Sequence, residues 1–364
     1  MGESLYATPK DLNDGLTSRS ISQIQANPDY LYRLLAGFQQ GFFGNINSFL
    51  IMKDGELVVE QYFNGWSQEK PHQLRSVSKS VTSLLVGSAI DQGFIHSTED
   101  TIGEYLPDYK QLLSGAKGDI TIADLMTMAA GLSWDQPSDG DGSTVNINQL
   151  VEQSADSVAF VLSRSLVEQP GEVFNYRDAY TYVMGEILRN ATGSKSAQAY
   201  IENSSLSQLD FGPTPWLRLA DGRTATAYGL QLRPRDLAKI GQLMLNRGQW
   251  QGTELLSESW ITESTSAQIA TNSSRKPWPW PEYGYFWWGT DFEVDGHSYH
   301  ADIADGFGGQ FIVVIEALNL VVVSTAENFY FPHSRVMSDI MSRLVIPAFQ
   351  QGEETSAVIT PTDH

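Results

Sequence analysis

The chain has no cysteine in its 364 residues, which removes disulfides, a thiolate nucleophile and cysteine-ligated metal sites together. Its six histidines, at 72, 96, 297, 300, 333 and 364, show no H-E-x-x-H or comparable ligand spacing, so no metal and no other cofactor is expected. No stretch approaches 18 apolar residues, and Met1-Gly2-Glu3-Ser4-Leu5-Tyr6 is neither a signal peptide nor a myristoylation motif. There is no G-x-S-x-G elbow, which sets aside an α/β-hydrolase. Positive charge is also scarce. Lys and Arg number 23 against 43 Asp and Glu, a formal net charge of -20, with no long basic run. Nucleic acid and anionic membrane are therefore poor partners, and a small-molecule substrate is the expectation. A hydrophobic content of 41% with 18% charged residues describes a folded, soluble chain long enough for about two domains. Compartment stays open between cytoplasm and, if an export signal once preceded Met1, periplasm or exterior; oligomeric state is equally open.

What the sequence does have is the stretch Ser76-Val77-Ser78-Lys79-Ser80-Val81-Thr82-Ser83-Leu84-Leu85-Val86-Gly87-Ser88-Ala89-Ile90, with Lys79 its one charge. Apolar residues wrap most of a helical wheel here, which predicts a buried helix. An ammonium on such a helix is costly to desolvate unless something needs it. Ser76 precedes Lys79 by three residues, so hydroxyl and amine stand one turn apart on the same face. A serine is a poor nucleophile until a neighbour takes its proton, and a lysine serves if burial lowers its pKa to about 7–8. The backbone N–H of a serine at a helix start can also stabilise an oxyanion. The bland alternative is a helix N-cap followed by a lysine that snorkels to water. A second S-x-x-K, Ser273-Ser274-Arg275-Lys276, runs into Pro277-Trp278-Pro279-Trp280-Pro281, which cannot continue a helix.

In chain order, a helix around Tyr30 to Phe38 precedes two apolar runs, Ser48 to Met52 and Leu57 to Phe63, joined as a hairpin by Asp54-Gly55. After the Ser76 helix the pattern is helical to about residue 225. Helix starts fall at Thr98-Glu99-Asp100 and at Thr121-Ile122-Ala123-Asp124, the latter running on toward Leu132. Asp135 to Asn148 is acidic and rich in Gly and Ser, a surface loop that could alternatively cover a pocket. Pro170-Gly171 turns the chain before Phe174-Asn175-Tyr176-Arg177-Asp178, and Ala179 to Leu188 is a helix with Asp178 as N-cap. A helix starts at Pro234 and a turn spans Gly248 to Gly252. Four of nine tryptophans lie between Trp278 and Trp288, as core or as binding wall. Strands Phe311 to Ile315 and Leu320 to Ser324 and a helix from Ser334 to Ile346 close the pattern, before a frayed tail after Gln350. Strands at both ends with helices between predict an α+β fold: one antiparallel sheet built from residues 1–95 and 225–364, a mainly helical insertion at 96–224, and an active site at their seam.

With these pieces placed, the chain resembles the serine β-lactamase and penicillin-recognising superfamily, in its class C-like branch of β-lactamases, DD-peptidases, esterases and nylon-oligomer hydrolases. The markers are His72 to Ser80, Ile120 to Met128 with Gly131-Leu132, Pro170 to Tyr176, Tyr228-Gly229-Leu230 with Arg233 to Leu237, and Gly306 to Phe311. The resemblance implies a β-lactamase/transpeptidase-like fold, Ser76 as acylated nucleophile and Lys79 as its activator. It implies that Tyr176, the tyrosine of a Y-x-N motif, moves a proton to the leaving group and helps activate the deacylating water, with Lys79 favouring the phenolate. It leaves open which of Lys79 and Tyr176 takes the first proton. Two departures stand out. Asp178 replaces the asparagine of Y-x-N, a donor become acceptor, which puts β-lactam turnover in doubt. The third motif, K-T-G or H-x-G, is missing: an edge strand is expected to carry Ala304-Asp305-Gly306 instead, with Phe307 supplying the second oxyanion N–H opposite that of Ser76. Asp178, Gly306, Gly308, Gly309 and Gln310 are the candidates for the substrate side, the glycines allowing close approach of backbone.

The implied activity is a serine hydrolase working through an acyl-enzyme on small esters or amides, as a carboxylesterase or a 6-aminohexanoate-oligomer amidase. A β-lactamase or DD-peptidase is the alternative and needs another carboxylate anchor, for which Arg177, Arg233 and Arg235 qualify by charge alone. A non-turnover penicillin-binding or sensor module is the alternative of another class, against which the retention of Ser76, Lys79 and Tyr176 argues.

Overall fold

A computed structural model describes residues 6–134, 147–273 and 278–350. The hairpin predicted at Asp54-Gly55 forms from β2 (Ile46–Lys53) and β3 (Glu56–Tyr62), Phe49 opposite Gln61. The C-terminal hairpin then completes the same sheet: β9 (Leu320–Ala326) pairs antiparallel with β2, Val323 opposite Leu50, and with β8 (Gln310–Ile315), Val323 opposite Ile312. Beyond β8 follow β7 (His297–Gly306), β6 (Trp288–Val294) and the two-residue strands β5 (Glu282–Tyr283) and β4 (Ile269–Ala270). At the other edge lies β1 (Thr17–Ser18), parallel to β3, so the expectation of an antiparallel sheet holds for every pair but this short one. The order across nine strands is β1-β3-β2-β9-β8-β7-β6-β5-β4.

Strands β8 and β9 are buried along their whole length, as strands covered on both faces are. Helix α1 (Pro28–Gln39) packs with the C-terminal helical run over residues 333–349, and helix α2 (Val77–Asp91) packs against helix α3 (Asp178–Thr192). Helix α4 (Pro234–Leu245) lies across β2, β8 and β9. Every residue of α2 from Val77 to Ala89 is buried, serines and lysine included, which matches an all-round apolar wheel. Residues 102–209, between α2 and the later strands, contribute helices and short helical turns, α3 among them, and no strand among the described residues. The Thr121 N-cap forms with a reciprocal bond to Asp124, but that helix stops at Met126, because Met128 turns into the left-handed region at φ 61°. Most of the acidic segment from Asp135, and all of the tail after Gln350, fall outside the described residues.

Candidate active site

The nucleophile candidate owes its position to the residue before it. Arg75 holds φ 51°, an uncommon conformation for a side chain that branches off a Cβ, and so turns the chain sharply into α2. Ser76 is the N-cap, yet its side chain makes no capping hydrogen bond, and it remains accessible. Its Oγ instead accepts from Lys79 Nζ at 3.0 Å, and Ser76 and Tyr176 line the same cavity. Lys79 is 1% exposed and donates to the Ala227 carbonyl at 2.9 Å and to Asp178 Oδ1 at 2.7 Å. The three donors of the ammonium are thus all placed, and the alternative of an idle cap with a snorkelling lysine does not fit.

Each partner is delivered by a different segment. The stretch carrying Ala227 is tied along the start of α2: Leu230 N donates to Ser78 Oγ at 3.2 Å, Thr82 Oγ1 donates to the Thr226 carbonyl at 3.3 Å, and Gln231–Leu232 pairs with His72–Gln73. Tyr176 is aimed by the Met128 turn, whose carbonyl accepts from Asn175 N at 2.7 Å and whose Sδ accepts from Arg177 N at 3.3 Å. Its ring stacks on Trp288 at 5.5 Å and 20°, meets Trp278 at 5.1 Å, and lies 4.9 Å below Lys79 Nζ. Asp178 is the first residue of α3, whose N-cap is Arg177 without a side-chain bond. The predicted cap role of Asp178 is therefore corrected: its carboxylate leaves the helix backbone for Lys79.

Proton affinities follow from this geometry. Burial works against the Lys79 ammonium, but the charges of Asp178 and Tyr176 and their hydrogen bonds outweigh it, and the pKa is raised. The sequence-based expectation of a lysine lowered by burial is overturned, because Asp178 stands where an uncharged amide was the comparison. For Tyr176, burial and the Asp178 charge raise the pKa more than Lys79 and Ser76 lower it. At neutral pH the resting site holds an ammonium and a neutral phenol.

A cavity of about 250 Å³ opens onto Ser76 and is walled by Tyr176, Trp278, Pro279, Trp288, Asp305, Phe307, His333 and Ser334. A slightly larger hollow, about 290 Å³, lies beside Arg223 and Glu186, where Arg223 bonds Glu186 and Asp221 and Arg189 bonds Glu186, with Lys195 also in its wall. The smaller cavity is the one that opens onto Ser76, whose hydroxyl stands 3.0 Å from Lys79 Nζ. A model of the Beta-lactamase family matches residues 47–340 of the chain. The protein belongs to the beta-lactamase family. It is a beta-lactamase-fold hydrolase related in sequence to aminohexanoate-dimer hydrolase, and it shares its fold with carboxylesterases. The 6-aminohexanoate-dimer hydrolase of Paenarthrobacter ureafaciens is 26% identical over 281 residues, 70% of this chain and 67% of that one. Protein flp of Staphylococcus aureus (strain N315) is 25% identical over 51% of this chain, a match that spans only 38% of flp. The fold of a family VIII carboxylesterase superposes with a TM-score of 0.65 at 19% identity, covering 87% of this chain and 98% of the other.

In this beta-lactamase-family protein Ser76, Lys79, Tyr176 and Asp178 come together as one cluster, and Phe307 lines the same cavity at 51% exposure. The remaining substrate-side candidates do not line it. Gln310 is fully buried and braces the loop, its Nε2 donating to the Ala326 carbonyl at 2.7 Å and its Oε1 accepting from Ala326 N at 3.1 Å. Gly306 is small because the strand passes Leu74, whose carbonyl would lie 2.4 Å from a Cβ, and this brings β7 against the nucleophile's own segment. Gly308 and Gly309 take φ of 92° and 102° and make the turn into β8. As expected, Ala304-Asp305-Gly306 is an edge on one side: β7 pairs with β6 only as far as Ile303, and these three residues are bonded to β8 alone. Of the arginines proposed as anchors, Arg235 bonds Glu60 and Asp14, Arg233 bonds Asp236, and Arg177 donates to the Tyr176 carbonyl and lies 5.9 Å over Trp134. None lines the cavity. The second S-x-x-K loses its lysine to a segment outside the described residues.

Sequence reasoning missed His333 and Ser334 and left Trp280 undecided between core and binding wall. They surround Asp305, whose Oδ2 accepts from Trp280 Nε1 at 2.8 Å and from Ser334 Oγ at 2.7 Å, while His333 Nε2 lies 3.4 Å from Oδ1. No local motif marks them, since they meet only when helix α5 (His333–Ile340) docks beside β7.

Proposed function

We propose that the protein is a serine hydrolase that forms an acyl-enzyme on Ser76 with small esters or amides. The observation that carries this reading is the position of Lys79 Nζ, 3.0 Å from a serine that caps nothing and 2.7 Å from a carboxylate able to take a proton. In acylation, Lys79 passes one N–H proton to Asp178 and takes the proton of Ser76, so lysine stays cationic while Oγ bonds to the carbonyl carbon. The oxyanion is held by the backbone N–H groups of Ser76 and Phe307. As the tetrahedral species collapses, the Tyr176 phenol gives its proton to the leaving oxygen or nitrogen, and the phenolate is stabilised by the ammonium beside it. Deacylation reverses the traffic: Tyr176 takes a proton from water, the hydroxide attacks the acyl carbon, and Asp178 returns its proton through Lys79 to the departing Oγ. Protons balance over the cycle.

Carboxylesterase and 6-aminohexanoate-oligomer amidase are the activities favoured within this class, from the relatives' names and from the apolar, aromatic cavity. A β-lactamase or DD-peptidase reading is weakened because each proposed arginine anchor is engaged elsewhere. A non-turnover module has no use for the Tyr176 proton shuttle. The test is a panel of p-nitrophenyl esters, a chromogenic cephalosporin and an aminohexanoate dimer, run on wild type and Ser76→Ala. Ester or amide turnover that vanishes with Ser76 supports the proposal; turnover that survives Ser76→Ala contradicts it.

A further inference from the structure

We propose that Asp305 makes the pocket selective for substrates that carry an ammonium group near the scissile ester or amide. The inference rests on the serine-hydrolase reading and adds a substrate class to it. Asp305 stands on β7 in the segment where the resemblance expects a K-T-G or H-x-G motif and its cation. Its side chain is 7% exposed and forms part of the wall that also contains Ser76. A carboxylate offers about four acceptor positions. Trp280 and Ser334 fill two on Oδ2, and on Oδ1 only His333 approaches, at 3.4 Å. Oδ1 therefore has room for a donor from a ligand.

The rest of the wall suits the same guest. Tyr176, Trp278, Trp288 and Phe307 are aromatic, and ring faces attract cations, quaternary ones included. A buried carboxylate in such a wall is costly without a counter-charge; among the described residues the lining contains no Lys or Arg, and the one ionisable group facing Asp305 is the His333 ring, 3.4 Å from Oδ1. Lys79 cannot supply it, being committed to Ser76, Ala227 and Asp178. A net charge of -20 adds a field that draws cations and repels carboxylates. The polarity of recognition is thus opposite to that of a site built to grip a substrate carboxylate.

The test compares matched p-nitrophenyl esters: 4-(trimethylammonio)butyrate, its neutral isostere 5,5-dimethylhexanoate, and the glutarate half-ester. A second arm compares butyrylcholine with 3,3-dimethylbutyl butyrate, to find which side of the scissile bond carries the cation. The expected result is a preference in kcat/KM of about tenfold or more for a cationic ester over its neutral isostere, falling at high salt. The carboxylate ester should be the poorest of the three. Asp305→Asn should shrink the cationic-to-neutral ratio to within about threefold, through KM rather than kcat. Should that variant fail to fold, the wild-type ranking decides alone. Turnover of the neutral esters with no ammonium preference in either arm, or a preference that survives Asp305→Asn, overturns the assignment and leaves the hydrolase reading standing. No turnover of any ester, nor of an aminohexanoate dimer, overturns both.

Discussion

Among the described residues two lysines are sealed inside the protein, each on a buried helix, and they behave oppositely. Lys79 on α2 is 1% exposed and Lys239 on α4 is 0% exposed. Lys239 donates to the carbonyls of Leu209 and Asp210 at 2.9 and 3.0 Å, and its nearest carboxylate, Asp236, is 4.0 Å away and already held by Arg233. There burial prevails, and the pKa is lowered. Lys79 has a carboxylate at 2.7 Å, and its pKa is raised although it is just as enclosed. Burial alone therefore does not make a lysine a base, nor does it identify a catalytic one. What separates the two is contact: Lys239 staples a turn to a helix, while Lys79 joins a free hydroxyl to a proton acceptor at the wall of a cavity.

The contrast can be broken most directly by removing each lysine. Lys79→Ala should lower kcat/KM for a p-nitrophenyl ester by at least about 10³-fold with a native circular-dichroism spectrum. Lys239→Met should leave the acylation rate within a few-fold while lowering unfolding stability by about 1–3 kcal/mol, the cost of two buried carbonyls without a donor. Comparable loss of activity in both folded variants would erase the distinction. Tyr176→Phe comes next, with turnover expected to fall about 10²–10⁴-fold; a loss of only two- or three-fold would remove Tyr176 from proton transfer.

Asp178→Asn sharpens the same point through pH. Without the carboxylate, the main influence raising Lys79 is gone and burial remains, so the alkaline limb of the kcat/KM profile should move to lower pH, with a loss of about 10²-fold near neutrality. An unmoved limb would mean that Asp178 does not set the charge of Lys79. The smallest effect lies in stability. A lysine whose folded pKa is raised contributes stability that is present below the ordinary lysine pKa and lost as pH climbs through the folded value. A lysine with a lowered folded pKa burdens the native state while charged, and that burden lifts as pH rises through its folded value. Difference curves of unfolding free energy against alkaline pH should thus have opposite slopes for Lys79→Met and Lys239→Met. Slopes of one sign would contradict the assigned directions.

Much of this was legible in the sequence because the signals are local. The α2 wheel, the Asp54-Gly55 hairpin, the Pro234 helix and the last two strands all declare their period within a dozen residues, and Ser76 with Lys79 needs only one turn of helix to be juxtaposed. The charge state of Lys79 was not legible, since it depends on Asp178 crossing from α3 to α2, and an Asp at a helix start reads first as a cap. What Gly306, Gly308 and Gly309 do was not legible for a related reason. A glycine says that something passes close or that φ is positive, but not whether the neighbour is a substrate or, as here, the Leu74 carbonyl. The wall around Asp305 draws on Trp280, Ser334 and His333, joined only by tertiary packing.

The central claim is that Ser76 is an activated nucleophile held ready by Lys79. Intact-mass spectrometry after incubation with a fluorophosphonate, on wild type and Ser76→Ala side by side, tests it most directly. The account predicts one stoichiometric adduct on wild type, mapped to the peptide containing Ser76, and none on the variant. An unmodified wild-type protein with native fold, or an adduct that persists in Ser76→Ala, would contradict it.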